Sequence, residues 1–226
     1  MQGIDKMVKV SEIFESISGE AGYFPQGSVC TFIRFQGCNL KCKWCDTPAT
    51  QGSSGGQWWQ VPYLVEHCQL YSTKRVLITG GEPLHQREGL IELIKGLCEK
   101  GFHIQVETNG SYAIPLLLDP LTHWIVDVKP PSSGYWKGTD TEFLNNLGGD
   151  WNNIHLKFVV ENRQDILFAI KQMKKRWLPP ADFIVSPVGG NREWYPEVIE
   201  IFKLTAPELL PRIIFSLQIH KIVKMA

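Results

Sequence analysis

Val29-Cys30-Thr31-Phe32-Ile33-Arg34-Phe35-Gln36-Gly37-Cys38-Asn39-Leu40-Lys41-Cys42-Lys43-Trp44-Cys45 reads as a strand that runs directly into a cysteine loop. β-Branched and aromatic side chains take five of its first seven positions, the composition of a strand, and Gly37 punctuates the run. The eight residues from Cys38 to Cys45 hold three of the six cysteines in the chain. Soft thiolates at this spacing suit an iron–sulfur cluster or a zinc ion, because so short a loop can converge three sulfurs on one metal centre without regular structure between them. Three ligands are one fewer than a closed four-thiolate site requires. A cluster with one iron free of cysteine could bind and activate an outside molecule, whereas a structural metal would take its fourth ligand from elsewhere.

Downstream of this loop, short apolar runs alternate with amphipathic segments. Gly52-Ser53-Ser54-Gly55-Gly56 punctuates the connection to a helix carrying Val61, Leu64, Val65 and Cys68. Arg75-Val76-Leu77-Ile78-Thr79 reads as a buried strand ending in Gly80-Gly81-Glu82-Pro83, and Leu90, Ile91, Leu93, Ile94 and Leu97 give the next segment a wide apolar helical face. Further strands are predicted over 102–106, 124–128, 154–160, 182–185 and 212–217, with helices over 164–176 and 196–202. Such alternation implies mostly parallel pairing with right-handed crossovers. Polar motifs stand at the carboxyl ends of several of these strands, where α/β sheets and barrels place their sites. A chain of 226 residues is short for an eightfold barrel of roughly 250 residues. The expected architecture is therefore α/β, an incomplete barrel in preference to an open doubly wound sheet. Residues 1–226 are read as one domain.

Composition narrows the possibilities further. Hydrophobic residues make up 43% and charged residues 20%, which argues against long disorder and against a fibrous architecture. Lys and Arg number 23 against 23 Asp and Glu, so no global field steers a nucleic acid. Trp58-Trp59 stands too far from any recognisable binding module to form a base-stacking platform. Met1 to Met7 lack the apolar run of a secretion signal, and no apolar stretch is long enough to cross a bilayer, so a cytoplasmic location without a membrane partner is expected. In that reducing setting the cysteine triplet argues for metal binding over disulfides, and Cys30, Cys68 and Cys98 read as buried or incidental.

The CysX3CysX2Cys arrangement, with Trp44 just before the third cysteine, resembles the radical S-adenosylmethionine (SAM) superfamily. The resemblance implies a (βα)6-like partial barrel in which Cys38, Cys42 and Cys45 hold a 4Fe-4S cluster. The amino and carboxylate groups of SAM would occupy the unique iron, and an electron from an external donor would cleave the sulfonium to a 5′-deoxyadenosyl radical. Such a radical must form close to the hydrogen it removes. Gly80-Gly81-Glu82-Pro83 resembles the superfamily's glycine-rich element, with glycines that admit the bound amino acid and a Glu82 carboxylate that accepts from its ammonium group. Glu107, in Glu107-Thr108-Asn109-Gly110, is then expected at a ribose hydroxyl. Asn109, Lys129 and Ser186 are expected at other cofactor-facing strand ends, with Trp44 shielding the cluster beside the adenine.

Within that superfamily the chain is similar to the 7-carboxy-7-deazaguanine synthase family. The similarity runs through Glu12-Ile13-Phe14, Ser16-Ile17-Ser18-Gly19-Glu20-Ala21-Gly22, Phe32-Ile33-Arg34-Phe35-Gln36-Gly37-Cys38, Cys42-Lys43-Trp44-Cys45-Asp46-Thr47 and Gln218-Ile219-His220-Lys221. The family often has Gln-Gly-Glu-Gly where this chain has Ser18-Gly19-Glu20-Ala21. The resemblance implies a carbon–nitrogen lyase that converts 6-carboxy-5,6,7,8-tetrahydropterin to 7-carboxy-7-deazaguanine, with ring contraction and loss of ammonia, on the way to queuosine and other 7-deazapurines. It also implies a homodimer and a Mg2+ ion bound through the Thr47 hydroxyl, with Asp46 ordering water around it. Glu20 and Arg34 would form the pterin-binding pair, the acid meeting ring donors and the base meeting carboxylate or carbonyl oxygens. Gln218 and His220 would complete that face. Two other readings remain open at this point: a glycyl-radical-enzyme activase, whose cluster spacing can match, and a non-enzymatic metal-binding module.

Overall fold

A computed structural model describes residues 6–115, 122–135, 153–175 and 182–225. Nine strands among them form one sheet: β1 (Met7–Ile17), β2 (Val29–Phe35), β3 (Gln57–Gln60), β4 (Arg75–Gly80), β5 (His103–Thr108), β6 (His123–Asp127), β7 (Ile154–Val160), β8 (Phe183–Pro187) and β9 (Ile213–Phe215). The spatial order is β3-β1-β2-β4-β5-β6-β7-β8-β9. From β2 to β9 every neighbouring pair is parallel. β1 and β3 extend one side antiparallel. Because β3 and β9 stand at the two ends of the order and do not pair with each other, the sheet stays open, and the architecture is the expected incomplete barrel.

Alternation along each parallel strand divides the sheet into two faces. Ile33, Phe35, Val76, Ile78, Val106, Trp124, Val126, Leu156, Phe158 and Val185 belong to one large apolar core. Three helices supply its other side: α1 (Val61–Cys68), α2 (Arg87–Glu99) and α3 (Arg163–Met173). A further helix, α4 (Tyr195–Thr205), adds Val198, Ile201 and Phe202. In α2 the i, i+3, i+4, i+7 spacing of Leu90, Leu93, Ile94 and Leu97 brings four fully buried side chains onto one stripe, each stabilising by about 1.5–3 kcal/mol. Residues of the opposite phase, among them Arg34, Thr79, Glu107, Asp127 and Lys157, face inward onto a cavity.

Buried Asp165 ties α3 to the loop after β6. Its carboxylate accepts from the backbone N–H groups of Ser132 (3.1 Å) and Glu161 (2.9 Å), while Asn162 caps the helix by accepting from Asp165 N at 3.1 Å. The helix expected over 164–176 runs Arg163–Met173, and its expected end at Arg176 lies outside the described residues. The strand expected over 212–217 shortens to β9, because Pro207–Arg212 forms a 3-10 segment ahead of it. A short helix, α5 (Ile219–Val223), follows.

Candidate active site

The cavity opens at the carboxyl ends of the parallel strands and has a volume of about 370 Å³. Cys38, Cys42 and Cys45 line one wall of it. Their loop is anchored by backbone: Gly37 N donates to Thr50 O (2.7 Å), Glu82 N to Gly37 O (2.9 Å) and Lys43 N to Ser133 O (3.2 Å). A Cβ on Gly81 would stand 2.1 Å from Gly37 O, so the cysteine loop and the loop after β4 cross with no room for a side chain. Two amides point at one sulfur, Leu40 N at 3.4 Å and Asn109 Nδ2 at 3.6 Å from Cys38 Sγ. Burial raises the Cys38 and Cys42 thiols above the ordinary range, and a bound cation would reverse that by favouring thiolates. Among the described residues, no three His, Cys, Asp or Glu side chains are gathered closely enough to hold a metal ion.

Trp44 donates from Nε1 to Ser132 Oγ at 3.0 Å, and the Lys129 ammonium stands 5.4 Å from the centre of a Trp44 ring. Lys129 also donates to Asp127 Oδ2 at 2.7 Å. Asn109, besides its contact with Cys38, donates to Asn39 Oδ1 at 3.0 Å and accepts from Ser111 Oγ at 2.6 Å. Thr47 Oγ1 is turned inward, 3.5 Å from Gly80 O and 3.9 Å from Cys45 Sγ. Trp44, Thr47, Gly80, Gly81, Glu107, Asn109 and Lys129 all reach the cavity wall.

Two residues expected at the cofactor, Glu82 and Ser186, are buried behind the cavity wall. Glu82 is 0% exposed and is absent from the cavity wall. Its carboxylate accepts from Leu84 N (2.9 Å), Thr108 Oγ1 (2.8 Å) and Asn109 N (2.6 Å), which fixes the backbone after β5. Burial raises its carboxyl above the ordinary range. Ser186 points to the inner side of β8 but is fully buried and does not line the cavity.

The opposite pole is built by the segment after β1 and residues 216–221. Glu20 accepts from the ammonium of Lys157 on one oxygen and from Gln218 Nε2 on the other. Burial alone would raise the Glu20 carboxyl, but Lys157 and these hydrogen bonds hold it below the ordinary range. Lys157 stays well above its ordinary value in spite of burial, because the Glu20, Asp127 and Glu107 carboxylates surround it. Glu107 behaves oppositely. Burial, with Glu20 and Asp127 nearby, pushes its carboxyl up to about 7, against the pull of Lys157 and a 3.1 Å hydrogen bond from Thr79 Oγ1.

Arg34 is held from β1, its Nε 2.6 Å from Glu12 Oε1 and its guanidinium 5.5 Å from the Phe14 ring centre. His220 lies against Gly19, where an added Cβ would come within 1.7 Å of His220 Nδ1. Burial lowers the His220 imidazole below its ordinary value. Ile219 N donates to Gly19 O at 2.9 Å, and Ala21 N donates inward to Ser216 Oγ at 2.7 Å. Ala21 itself packs with Ile125 and Ile184. Lys221 spans the poles, donating to Gln218 Oε1 at 2.6 Å with its Nζ 3.9 Å from Asp46 Oδ2. Thus Glu20, Arg34, Gln218 and His220 share one cavity with the cysteines. Sequence reasoning missed Lys157 as a site residue, although a lone lysine inside the apolar run of β7 was the signal for it.

Residues 32–128 match the family model described as the Radical SAM superfamily. Over 186 residues the chain is 37% identical to a 7-carboxy-7-deazaguanine synthase of Methanospirillum hungatei JF-1, covering 81% of this chain and 74% of that one. A 7-carboxy-7-deazaguanine synthase of Hyperthermus butylicus is 30% identical over 230 residues, covering 98% and 95%. The crystal structure of QueE from Escherichia coli shares the fold, with a TM-score of 0.66 and 24% identity over 88% of this chain and 90% of that chain. Among the described residues no helix is long and apolar enough to cross a membrane.

Proposed function

The chain belongs to the 7-carboxy-7-deazaguanine synthase family of the radical SAM superfamily, and on that premise we propose that it converts 6-carboxy-5,6,7,8-tetrahydropterin to 7-carboxy-7-deazaguanine, a 7-deazapurine and queuosine precursor, with ring contraction and loss of ammonia. One observation carries this reading: a single cavity joins the three cysteines to Glu20, Arg34, Gln218 and His220. Its volume of about 370 Å³ suits a small heterocycle beside a nucleoside cofactor better than the protein backbone an activase would admit.

The donor set fits a 4Fe-4S cluster on Cys38, Cys42 and Cys45, with Leu40 N and Asn109 Nδ2 already directed at one of the sulfurs. Bound there with SAM, the cluster would supply the electron and the carbon radical that start hydrogen removal. Gly80 and Gly81 bring this loop close against the Phe35 and Gly37 backbone at the cavity wall, and Glu107 and Asn109 offer polar groups to the nucleoside. Trp44, braced by Ser132 and Lys129, excludes water from that wall. Glu82 acts through the Asn109 backbone that it fixes.

Thr47 Oγ1 and Asp46 are the hard oxygen groups for Mg2+, the hydroxyl as ligand and the acid through ordered water. Arg34 would meet the substrate carboxylate, while Glu20, held ionised by Lys157, would accept from ring N–H groups and so fix which face is presented. Gln218 and His220 close the ring's other side. This reading takes an external electron donor and a homodimer.

The test is anaerobic cluster reconstitution followed by incubation with SAM, reductant, Mg2+ and the tetrahydropterin. Mass analysis should find the deazapurine. An intact cluster that cleaves SAM yet yields no deazapurine overturns the substrate and leaves the superfamily standing.

A further inference from the structure

Lys157 stands in the middle of β7, between Leu156 and Phe158, both fully buried in the helix-side core. Its side chain is only 9% exposed and faces the cavity, where its register neighbour on β6 is Asp127. Burying an ion pair is a poor way to gain stability, since the desolvation of two charges roughly cancels their attraction and an apolar pair does as well. The Lys157–Glu20 pair sits where a ligand would sit, not among the apolar layers. Both partners also retain capacity. An ammonium has three donors and a carboxylate about four acceptor positions. Among the described residues Lys157 donates to Glu20, and Glu20 accepts from Lys157 and Gln218.

A carboxylate by itself reads only donors. It holds a ring N–H but says nothing about the neighbouring ring substituent. An ammonium beside it adds that information, because it accepts a carbonyl oxygen as partner and meets an amino group as donor against donor. We propose that Lys157 is a specificity-determining residue: with Glu20 it forms a side-by-side donor and acceptor pair that takes the lactam edge of the substrate ring, Lys157 donating to the ring carbonyl and Glu20 accepting from the adjacent N–H. The inference rests on the proposed function, since it needs the heterocycle in this cavity. The Glu20 and Asp127 carboxylates keep the ammonium charged for that task.

The test compares two ligands on cluster-loaded enzyme, the 6-carboxy-tetrahydropterin and its 4-amino analogue, in which the ring carbonyl is replaced by an amino group. Wild-type enzyme should bind the carbonyl form about 10- to 100-fold more tightly, the range expected for a charged hydrogen bond kept or lost. Lys157→Arg should keep that preference. Lys157→Gln, whose amide can donate or accept, should narrow that preference severalfold, the remainder belonging to Glu20 because the amino analogue also lacks the adjacent ring N–H. A second reading uses Glu20→Gln with and without Lys157→Gln. If Lys157 touches the ring, the double variant loses the carbonyl preference that Glu20→Gln retains. Unchanged discrimination in Lys157→Gln, or an equal loss for both ligands, overturns the inference, the latter by making Lys157 a support for Glu20 alone. Wild-type enzyme that turns over the pterin while Lys157→Gln keeps full discrimination sinks only the inference. A wild-type enzyme that makes no deazapurine sinks the substrate reading and the inference together.

Discussion

The two faces of the parallel sheet solve different problems with the same strands. On β4, Val76 and Ile78 enter the helix-side core, while Leu77 and Thr79 between and after them face the cavity. On β7 the contrast is sharper: Leu156 and Phe158 are core, and Lys157 between them is a buried charge. The helix face is apolar and continuous, so its energetics are those of packing. The cavity face spaces charged and hydroxyl groups across β2, β4, β5, β6 and β7, each held by a neighbour on another strand or loop. One face therefore sets whether the chain folds, and the other sets what the folded chain can hold.

That division can be broken most directly at the cysteine wall. Cys42→Ala should abolish cluster loading and all SAM cleavage, read as iron and sulfide content and 5′-deoxyadenosine formed, with the far-ultraviolet circular dichroism of the apoprotein unchanged. A fall in helix content would show that the loop also carries the fold. The converse variant is Leu93→Ala, on the helix face. It should destabilise by about 2–5 kcal/mol in denaturant unfolding while product formed per folded, cluster-loaded molecule stays as in wild type. A lost turnover at full folding would mean that the faces are coupled.

A smaller effect belongs to Glu107. Its carboxyl is raised to about 7 in the folded protein, so the folded state holds this proton more tightly than the unfolded chain does. The stability this contributes is fully present below the unfolded carboxylate value and is lost as pH rises toward 7. Glu107→Gln should remove that component, flattening the fall of unfolding free energy across this window in denaturant titrations. An unchanged slope would show that Glu107 titrates normally. The smallest change is expected from Ala21→Gly, which removes one methyl from the cluster with Ile125 and Ile184 and should cost about 1 kcal/mol, read as a slight fall in melting temperature. A large loss of substrate affinity there would show that the segment around Ala21 sets the cavity's shape as well as its floor.

Much of this was legible in the sequence. Val29–Phe35 is a strand and runs into the cysteine loop as its composition implies, and the strands before Gly80-Gly81 and Glu107 end at the cavity. β3 escaped because Gln57–Gln60 is four residues long and owes its existence to pairing with β1, a long-range contact that no local pattern encodes. Side-chain direction was the harder matter. Glu82 sits in a recognisable motif, yet the motif cannot say that three donors from its own neighbourhood claim the carboxylate. Ser186 likewise carries the right residue at the right strand end but lies too deep to reach the wall. Lys157 was visible as a charge in an apolar run, and only the register of β6 with β7 and the return of Glu20 across the barrel show what it meets.

The hydrogen bond from Ile219 to Gly19, with Gln218 on Glu20 and Lys221 near Asp46, has a consequence in time as well as in space. During synthesis the cysteine loop is followed soon after by its backbone anchors at Thr50 and Glu82. The wall that shuts the far side waits for residues 218–221, which are made well after both. A nascent chain therefore has its sulfur ligands synthesised long before it has the residues that finish the pocket. The order of translation leaves the metal-binding end open to loading before the cavity can be sealed.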